Sequence, residues 1–254
     1  MASDQPLVSV ITVCYNAEAY IERTVKSILA QQKHYPNIEY VIVDGVSKDK
    51  TLEILESYVL QFHNYNFKSE PDKSLYDAMN KGIQRATGDY IVFINAGDVL
   101  AQEDSLALAM KESKDADLVY AKAVFVDEEG NRRAWHKTVP TSDQLSARSF
   151  ISGMVICHQC MIVKRSCTPL FALEPWKIAC DLDWSIRVLR QVKTKHFYDA
   201  IFCLFLDGGV SDKRRMQAVR ERFDICKHHF GIFPTLIEQF KILLKVIKRR
   251  GKVK

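Results

Sequence analysis

Short apolar runs alternate with amphipathic segments along the first 126 residues of the chain. The run at residues 90–94 is β-branched and aromatic and carries no charge, which is typical of a strand buried on both faces of a parallel sheet. Similar runs predict strands at residues 7–13, 38–43 and 118–126, and a short strand around Phe67. Strands that alternate with helices in this way form parallel βαβ units with right-handed crossovers. The pattern therefore predicts an α/β fold.

Two helices are predicted from apolar positions that recur every three or four residues. The apolar face of the first helix is formed by Ile21, Val25, Ile28 and Leu29. The second begins at Thr51, and its inward face is formed by Leu52, Ile54, Leu55 and Val59.

Polar loops follow three of the predicted strands, near Tyr15, Asp44 and Asp98. Ligands of such sheets bind beyond the carboxyl ends of the strands, so a nucleotide would lie across these loops. Asp98 stands beside Gly97, where another backbone can approach closely, and a carboxylate there can hold a divalent cation and a diphosphate. The alternative is that Asp98 caps the helix that follows.

Four segments, in this order, resemble the family 2 glycosyltransferases, whose nucleotide-sugar domain has the GT-A fold. They are VSVITVCYN at residues 8–16, YVIVDGVSKDKT at 40–51, SEPDKSLYDAMNKGI at 69–83 and GDYIVFINAGD at 88–98. The third resembles a subgroup that builds bacterial surface polysaccharides. Thinner matches follow at residues 158–159, 181 and 208–211.

The resemblance implies a GT-A-like three-layer α/β/α sandwich with a mostly parallel central sheet and a C-terminal helical extension. The glycosyltransferase domain would span residues 1–212, with a nucleotide-sugar-binding half at 1–126 and an acceptor-side half at 127–212. Residues 213–254 would form a basic amphipathic helical extension.

The resemblance also assigns residues to the donor. Asp44 is expected to contact the nucleotide base, and Val13 and Tyr15 are expected to frame the nucleoside. Asp77 and Lys81 lie four residues apart, hence on one helix face, from which they could reach sugar or phosphate groups. The alternative for this pair is an ordinary surface ion pair. The full set of predicted substrate-binding residues is Val13, Tyr15, Asp44, Asp77, Asn80, Lys81, Asn95, His158 and Asp183, of which Asn80 could also secure the neighbouring loop.

Asp98 matches the carboxylate of the family's Asp-x-Asp metal motif, although the two preceding positions that are often acidic are Asn95 and Gly97. The resemblance thus implies Asp98 as the main protein ligand of Mg²⁺ or Mn²⁺, with a diphosphate and waters completing an octahedral shell. Such a site is expected to bind metal weakly until the donor arrives.

Asp181 aligns with the family's catalytic base, which would deprotonate the acceptor hydroxyl in an inverting transfer. The family usually has Glu before this Asp, and Cys180 stands there instead. Asp183 is the second candidate for the base. The alternative is that both acids serve the positive end of the helix dipole.

The segment Cys-His-Gln-Cys at residues 157–160 raises the question of a zinc site, but the cysteine spacings match no paired-cysteine framework. The surrounding apolar run at residues 154–163 predicts a buried strand. His158 and Gln159 match a family position that faces the acceptor, and the alternative for His158 is a satisfied core histidine.

Composition agrees with a cytoplasmic enzyme. The 254 residues, 47% of them hydrophobic, can bury one sizeable core. Seven scattered cysteines favour a reducing compartment. The first residues lack a signal-peptide pattern, and no apolar run is long enough to span a bilayer.

Positive charge is concentrated at the carboxy terminus. From Lys213 onward 13 Lys or Arg residues stand against three acidic ones, a net charge of +10, whereas the residues before carry −5. The segment 234–254 has an apolar helical stripe formed by Leu236, Ile237, Phe240, Leu243, Leu244 and Ile247. Such a helix can lie in an anionic membrane surface, which would suit a polyprenyl-linked acceptor and a peripheral position at the inner face of the cell membrane. The alternative is a helix packed on its own domain, and nucleic acid is a weaker interpretation of the same charge.

The sequence therefore predicts an inverting, metal-dependent glycosyltransferase of surface polysaccharide synthesis. The donor would be a nucleotide-sugar, by resemblance UDP-linked, and the acceptor a glycan or lipid-linked saccharide. Two alternatives are a sugar nucleotidyltransferase, whose glycine-rich phosphate loop the amino terminus lacks, and a non-catalytic nucleotide-sugar-binding module of the same fold.

Overall fold

The fold is described from a computed structural model that covers residues 5–113, 115–135, 139–209 and 214–250, with backbone only for 134–135 and 245–250. The predicted motif at residues 208–211 lies partly outside these ranges, and the predicted domain boundary at 212 lies wholly outside them. The domain division therefore stays a prediction. The described residues form one nine-stranded sheet with the strand order β3-β2-β1-β4-β8-β6-β9-β5, and β7 pairs with β6. The strands are β1 (Val8–Cys14), β2 (Ile38–Asp44), β3 (Tyr65–Ser69), β4 (Tyr90–Phe93), β5 (Val99–Leu100), β6 (Leu118–Val126), β7 (Arg132–Trp135), β8 (Met161–Lys164) and β9 (Lys195–Leu206).

The first four strands form the parallel part of the sheet. β1 pairs in parallel with β2 on one side and with β4 on the other, and β2 pairs in parallel with β3. Every residue of β1, β2 and β4 is buried, as their largely apolar sequences predict, and the buried set includes the polar residues Ser9, Thr12 and Glu39. The predicted strands and their βαβ connections are confirmed in this half.

Three helices connect these strands: α1 (Ile21–Gln31), α2 (Thr51–Glu56) and α3 (Leu75–Arg85). Helix α3 packs closely on the sheet, because a Cβ added at Gly82 would lie 2.5 Å from Cγ2 of Ile11. Helix α2 begins at Thr51 as predicted but is shorter than expected. It ends at Glu56, a 3₁₀ turn follows, and the inward orientation predicted for Val59 is wrong because its side chain is exposed.

The second half of the sheet is mixed. β6 pairs in parallel with β9 and antiparallel with β8, and it forms a hairpin with β7. The strand predicted at residues 154–163 is wrong over its first part, because residues 158–160 form a 3₁₀ turn and β8 begins only at Met161. This turn places the polar side chains of His158 and Gln159 near the strand ends. The apolar character of the surrounding sequence does not predict such a turn.

Four further helices are α4 (Ser105–Glu112), α5 (Cys180–Gln191), α6 (Arg215–Phe230) and α7 (Ile232–Arg250). Gly231, with φ +86°, separates α6 from α7. Helix α7 packs on α6 and on a 3₁₀ turn at Ala147–Ser152. The α/β prediction with a C-terminal helical extension is thus confirmed. No helix in the described ranges has both the length and the apolar content needed to cross a bilayer.

Candidate active site

A cavity of about 1200 Å³ lies beyond the carboxyl ends of β1 and β4. Its wall includes Val13 and Tyr15 at the end of β1, Asn95 and Asp98 after β4, and Asp181 in the first turn of α5. Single-ligand pockets occupy roughly 300–1,000 Å³, so this cavity has room for a nucleotide-sugar together with part of a second substrate.

Asp98 is a buried carboxylate held from two sides. Its Oδ1 accepts a hydrogen bond from the backbone N–H of Leu206 at 2.9 Å, and its Oδ2 accepts one from Nε2 of Gln159 at 3.0 Å. Burial raises the pKa of Asp98 to about 6, although both hydrogen bonds oppose the rise. A bound cation would stabilise the ionised form of the Asp98 carboxyl group, which burial disfavours.

The backbone beside Asp98 explains why the preceding position is not acidic. Gly97 has φ +101°, and a Cβ at this position would lie 2.7 Å from Cδ2 of Leu206. A side chain at residue 97 would therefore meet both backbone strain and a steric clash. Asp98 is the carboxylate that this loop can present.

The residues at the end of β4 suit a hard divalent cation, but only as part of its coordination shell. Oδ1 of Asn95 is buried and has no hydrogen-bond partner within the described residues. It lines the cavity together with Asp98, so two side chains there offer the oxygen atoms that Mg²⁺ and Mn²⁺ prefer. The described part of the chain contains no cluster of three or more His, Cys, Asp or Glu side chains able to hold a metal. The remaining ligands would have to come from a diphosphate and water.

Asp181 faces the same cavity from α5. Its Oδ1 accepts a hydrogen bond from the N–H of Leu182 at 2.9 Å, and its Oδ2 lies 3.7 Å from Nδ1 of His158. The backbone groups just before the helix are bound by another acid, because Oε2 of Glu221 accepts hydrogen bonds from Lys177, Ile178 and Ala179. Glu221 thus holds the loop that leads into α5, and one oxygen of Asp181 stays available to a substrate.

Two consecutive residues connect the two acids. Gln159 donates to Asp98, and His158 faces Asp181. Nε2 of His158 also lies 3.4 Å from Nδ2 of Asn95. The 3₁₀ turn at His158–Cys160 therefore ties the end of β4 to the start of α5, and both side chains line the cavity.

The cavity end beside Val13 and Tyr15 is not lined by Asp44, which was expected to contact a nucleotide base. Its carboxylate is fully buried and does not line the cavity, because it accepts hydrogen bonds from the N–H of Ser47 at 3.0 Å and from Oγ of Ser69 at 2.7 Å. Asp44 therefore does not reach the cavity in this structure, and its contact with a nucleotide base stays a prediction. The carboxylate that faces this end is Asp72, which sequence reasoning did not assign.

Asp72 lies close to the backbone at Gly45, where an added Cβ would collide with its carboxylate. Burial raises the pKa of Asp72, and Lys81 opposes this effect. Its place in the segment Glu-Pro-Asp was the available signal, because that segment follows β3 at the same sheet edge. The exposed ring of Tyr15 also lies close to Gly45, with its Cδ2 3.3 Å from the same added Cβ.

The predicted residues of α3 support the loops instead of lining the cavity. Asp77 accepts a hydrogen bond from the N–H of Lys73 at 2.9 Å and lies 3.6 Å from Nζ of Lys81. Asn80 bonds to both the N–H and the C=O of Phe171, so it secures the loop around that residue. None of Asp77, Asn80 and Lys81 is part of the cavity wall formed by the described residues.

Asp183 also lies outside the cavity wall. It accepts hydrogen bonds from Arg187 and His229, each at 2.7 Å, and is buried. Burial opposes its ionisation, but the hydrogen bond from His229 and the charge of Arg187 hold the pKa of Asp183 below its usual value. This carboxylate joins α5 to α6, and its hydrogen bonds hold it away from the cavity in this structure.

Other cavity residues come from parts of the chain without a motif. Glu128, at the tip of the β6–β7 hairpin, accepts a hydrogen bond from the hydroxyl of Tyr20 at 2.7 Å. Asp207 after β9 and Arg222 of α6 line the same cavity. Their positions depend on the tertiary fold, so no local sequence signal could have found them.

The chain is similar in sequence to known proteins. Residues 9–169 match the family described as "Glycosyl transferase family 2". An uncharacterized glycosyltransferase of Haemophilus influenzae is 29% identical over 198 residues, which cover 77% of this chain and 76% of that protein. A "PGL/p-HBAD biosynthesis glycosyltransferase" of Mycobacterium bovis is 29% identical over 218 residues, covering 82% and 80%.

Solved structures show a similar fold. The Staphylococcus aureus protein TarS, residues 1–349 in complex with UDP-GlcNAc, superposes with a TM-score of 0.67 at 19% identity, covering 86% of this chain and 66% of that one. The mannosyltransferase PcManGT from Pyrobaculum calidifontis, in complex with GDP-Man and Mn²⁺, gives a TM-score of 0.63 at 18% identity, covering 92% and 67%. The present chain thus spans about two thirds of the length of these two structures.

Proposed function

Because the chain belongs to glycosyl transferase family 2, we propose that it moves a sugar from a nucleotide-sugar to a hydroxyl group of a glycan or lipid-linked saccharide, with inversion at the anomeric carbon. The observation that carries this proposal is that Asp98 and Asp181 line one cavity and are connected through the neighbouring residues Gln159 and His158. Asp98 would hold the cation that neutralises the donor diphosphate, and Asp181 would accept the proton of the acceptor hydroxyl. A role in surface polysaccharide synthesis is part of the proposal.

The nucleoside occupies the end of the cavity formed by Val13, Tyr15 and Asp72. The exposed ring of Tyr15 offers an aromatic surface for a base or ribose, and Asp72 offers a hydrogen-bond acceptor. Asp44 supports this end from beneath, through its bonds to Ser47 and Ser69. A UDP-linked donor is proposed from the similarity to the structure that contains UDP-GlcNAc.

Asp98 and Asn95 are the residues that would hold Mg²⁺ or Mn²⁺. When bound, such a cation supplies positive charge for the departing nucleoside diphosphate. A similar structure was determined with GDP-Man and Mn²⁺. Since only two side chains contribute oxygen atoms, we expect calorimetry to show weak Mn²⁺ binding to the donor-free protein. Tight binding without donor would contradict this assignment.

Asp181 accepts the proton of the acceptor hydroxyl. Its Oδ1 is oriented by the N–H of Leu182, and its Oδ2 faces the cavity beside His158. An oriented carboxylate that removes the proton of the attacking hydroxyl makes the hydroxyl oxygen more nucleophilic as the bond to the sugar forms. His158 acts by fixing the position of Asp181 and is a positioning residue.

The compartment is proposed to be the cytoplasm. All seven cysteines are among the described residues, and each is unpaired. Five of them are buried, where a free thiol behaves as a small apolar side chain. This cysteine use suits a reducing environment.

A thermal-shift panel of UDP-, GDP- and dTDP-sugars with Mg²⁺ or Mn²⁺ tests donor binding. A ligand at one hundred times its dissociation constant stabilises the folded state by about 2.7 kcal/mol, enough to raise the midpoint measurably. We expect the UDP-sugars to give the largest shift and the Asp98→Asn variant to lose most of it. If no nucleotide-sugar shifts the midpoint, the proposal fails. Donor binding without any transfer to saccharide acceptors would instead indicate a non-catalytic module.

A further inference from the structure

Helix α7 presents its apolar side chains to solvent. Six of them, within the part of the helix whose side chains are described, are between 40% and 77% exposed: Phe233, Leu236, Ile237, Phe240, Leu243 and Leu244. At the spacing of an α-helix these six positions fall on one side and form a continuous stripe. Isolated exposed apolar residues are common, but a contiguous stripe of this size marks an interaction surface.

The opposite side of α7 faces the protein. Thr235 is fully buried, and Gln239 and Ile242 line the cavity. The helix therefore packs on the domain through a narrow, partly polar face. The structure thus agrees with the alternative of a helix packed on its own domain, but the apolar stripe lies outside that contact.

The surroundings of the stripe are cationic. Residues 213–254 carry a net charge of +10, and Lys245, Lys248, Arg249 and Arg250 fall in the last turns of α7. On the adjacent helix α6, Arg215, Arg220 and Arg222 are exposed and make no salt bridge with any described residue. An apolar stripe surrounded by positive charge is complementary to a partner with an apolar interior and negatively charged groups on its surface.

We propose that the outer face of α7, formed by the six apolar residues above, docks on the surface of a bilayer that contains anionic phospholipids. The apolar side chains would enter the headgroup–acyl boundary, and the basic residues would contact lipid phosphates. A second copy of this chain is the other occupant of suitable size. A symmetric pair would bring two segments of net charge +10 together, which opposes association.

The docked helix also bounds the cavity. Gln239 and Ile242 of α7, with Val219 and Phe223 of α6, form one part of its wall. If the proposed function holds, this part of the cavity receives the acceptor. An acceptor saccharide carried on a membrane lipid would then reach Asp181 without leaving the bilayer surface. Membrane docking itself does not depend on the proposed reaction.

Vesicle sedimentation with the full chain tests the docking surface. Vesicles of phosphatidylcholine alone are compared with equimolar phosphatidylcholine and phosphatidylglycerol, at low and high salt. We expect binding to the anionic vesicles, much weaker binding to the neutral ones, and a loss of binding as salt rises. The double variant Leu236→Glu with Phe240→Glu is expected to lower the partition coefficient about tenfold or more, because it removes two apolar contacts and adds two negative charges.

The matched control is Leu60→Glu, which changes a 98% exposed leucine on the 3₁₀ turn after α2 and is expected to leave vesicle binding unchanged. A second variant, Lys248→Glu with Arg249→Glu, tests the charge separately and is expected to weaken binding only to anionic vesicles. Wild-type protein that stays in the supernatant, or equal binding by the Leu236→Glu/Phe240→Glu variant, overturns the proposal. A wild-type dimer in sedimentation equilibrium that this variant dissociates, without vesicle binding, assigns the face to a second copy and also overturns it. Transfer to a water-soluble acceptor is expected to be unaffected in the double variant, so failed docking and a failed reaction are distinguishable.

Discussion

Nδ1 of His158 lies 3.7 Å from Oδ2 of Asp181, while Gln159, the next residue, donates its hydrogen bond to Asp98. One 3₁₀ turn thus sets the positions of both acids of the cavity. The distance to Asp181 is too long for a hydrogen bond but short enough for an electrostatic contact. A shift of this turn would move Asp181 relative to Asp98, so we expect the pair His158–Gln159 to set the geometry of the proposed transfer.

Removal of the His158 ring is expected to slow the reaction without weakening donor binding. In His158→Ala, Asp181 loses the contact that fixes Oδ2, and we expect kcat to fall about ten- to a hundredfold with an unchanged donor Kd. Steady-state kinetics and calorimetry with the donor check this. The control His34→Ala changes an exposed histidine outside the cavity. A rise in donor Kd at unchanged kcat would assign His158 to the donor instead.

The protonation of Asp98 makes stability depend on pH. Burial raises its pKa from 3.8 to about 6, so the folded protein retains this proton to a higher pH than the unfolded chain. Stability contributed by the protonated form is therefore lost as pH rises from about 4 to about 6, by about 2 to 3 kcal/mol. Urea unfolding across this range is expected to show the slope in the wild type and not in Asp98→Asn. The exposed Asp224→Asn is expected to retain it.

The same titration limits activity from the acid side. A protonated Asp98 cannot serve as a ligand for a cation, so donor binding is expected to weaken as pH falls through about 6. Calorimetry of donor binding at several pH values measures this dependence. Donor affinity that stays constant down to pH 5 would contradict the role of Asp98.

Gly97 is expected to tolerate no side chain. At φ +101° an alanine is strained, and its Cβ would also clash with Leu206. Gly130 has a similar φ of +84° but no atom within 4 Å of an added Cβ. We expect Gly130→Ala to cost about 1 kcal/mol and Gly97→Ala about 1 to 3 kcal/mol more. Equal losses of unfolding free energy in Gly97→Ala and Gly130→Ala would show that the Leu206 side chain moves aside. Only the backbone conformation would then exclude an acidic residue at position 97.

Glu221 is expected to stabilise the start of α5. Its carboxylate accepts three backbone hydrogen bonds from residues 177–179, and Glu221→Ala leaves these donors without their acceptor. We expect a loss of about 2 to 4 kcal/mol in unfolding free energy, partly restored in Glu221→Gln. Although burial opposes ionisation, the hydrogen bonds hold the pKa of Glu221 below 4.5, so its contribution is lost as pH falls through that lowered value. Glu129→Ala, at an exposed hairpin tip, is the control. Equal stability of the two variants would contradict this assignment.

The sequence predicts the parallel part of the sheet because the signals for its strands are local. The apolar runs that form β1 and β4 can be recognised without knowing which strands they pair with. The carboxyl ends of parallel strands then lie at the same edge of the sheet. Val13, Tyr15, Asn95 and Asp98 therefore could be placed at the cavity before the structure was known. Asp181 could be placed there only through the resemblance to the family's catalytic base.

The partners of these residues could not be predicted, because they lie far away in the sequence. Leu206 is 108 residues from Asp98, and Glu221 is 42 residues from Ala179. The enclosure of Asp44 depends on a hydroxyl group 25 residues away. For Asp183, a pattern of two acids in one helical turn could not show which side chain would face α6. These outcomes depend on tertiary packing, which periodicity does not encode.

The most direct test of the account compares Asp181→Asn with Asp183→Asn. Transfer from the nucleotide-sugar to the saccharide acceptor is measured together with donor affinity and unfolding free energy. We expect Asp181→Asn to keep its fold and donor affinity and to lose about 10²- to 10⁴-fold in kcat. Asp183→Asn is expected to lose about 3 kcal/mol of stability, because it leaves Arg187 and His229 without their buried partner, while the folded fraction keeps its turnover. A near wild-type kcat in Asp181→Asn, or a folded but inactive Asp183→Asn, would contradict the proposed catalytic arrangement.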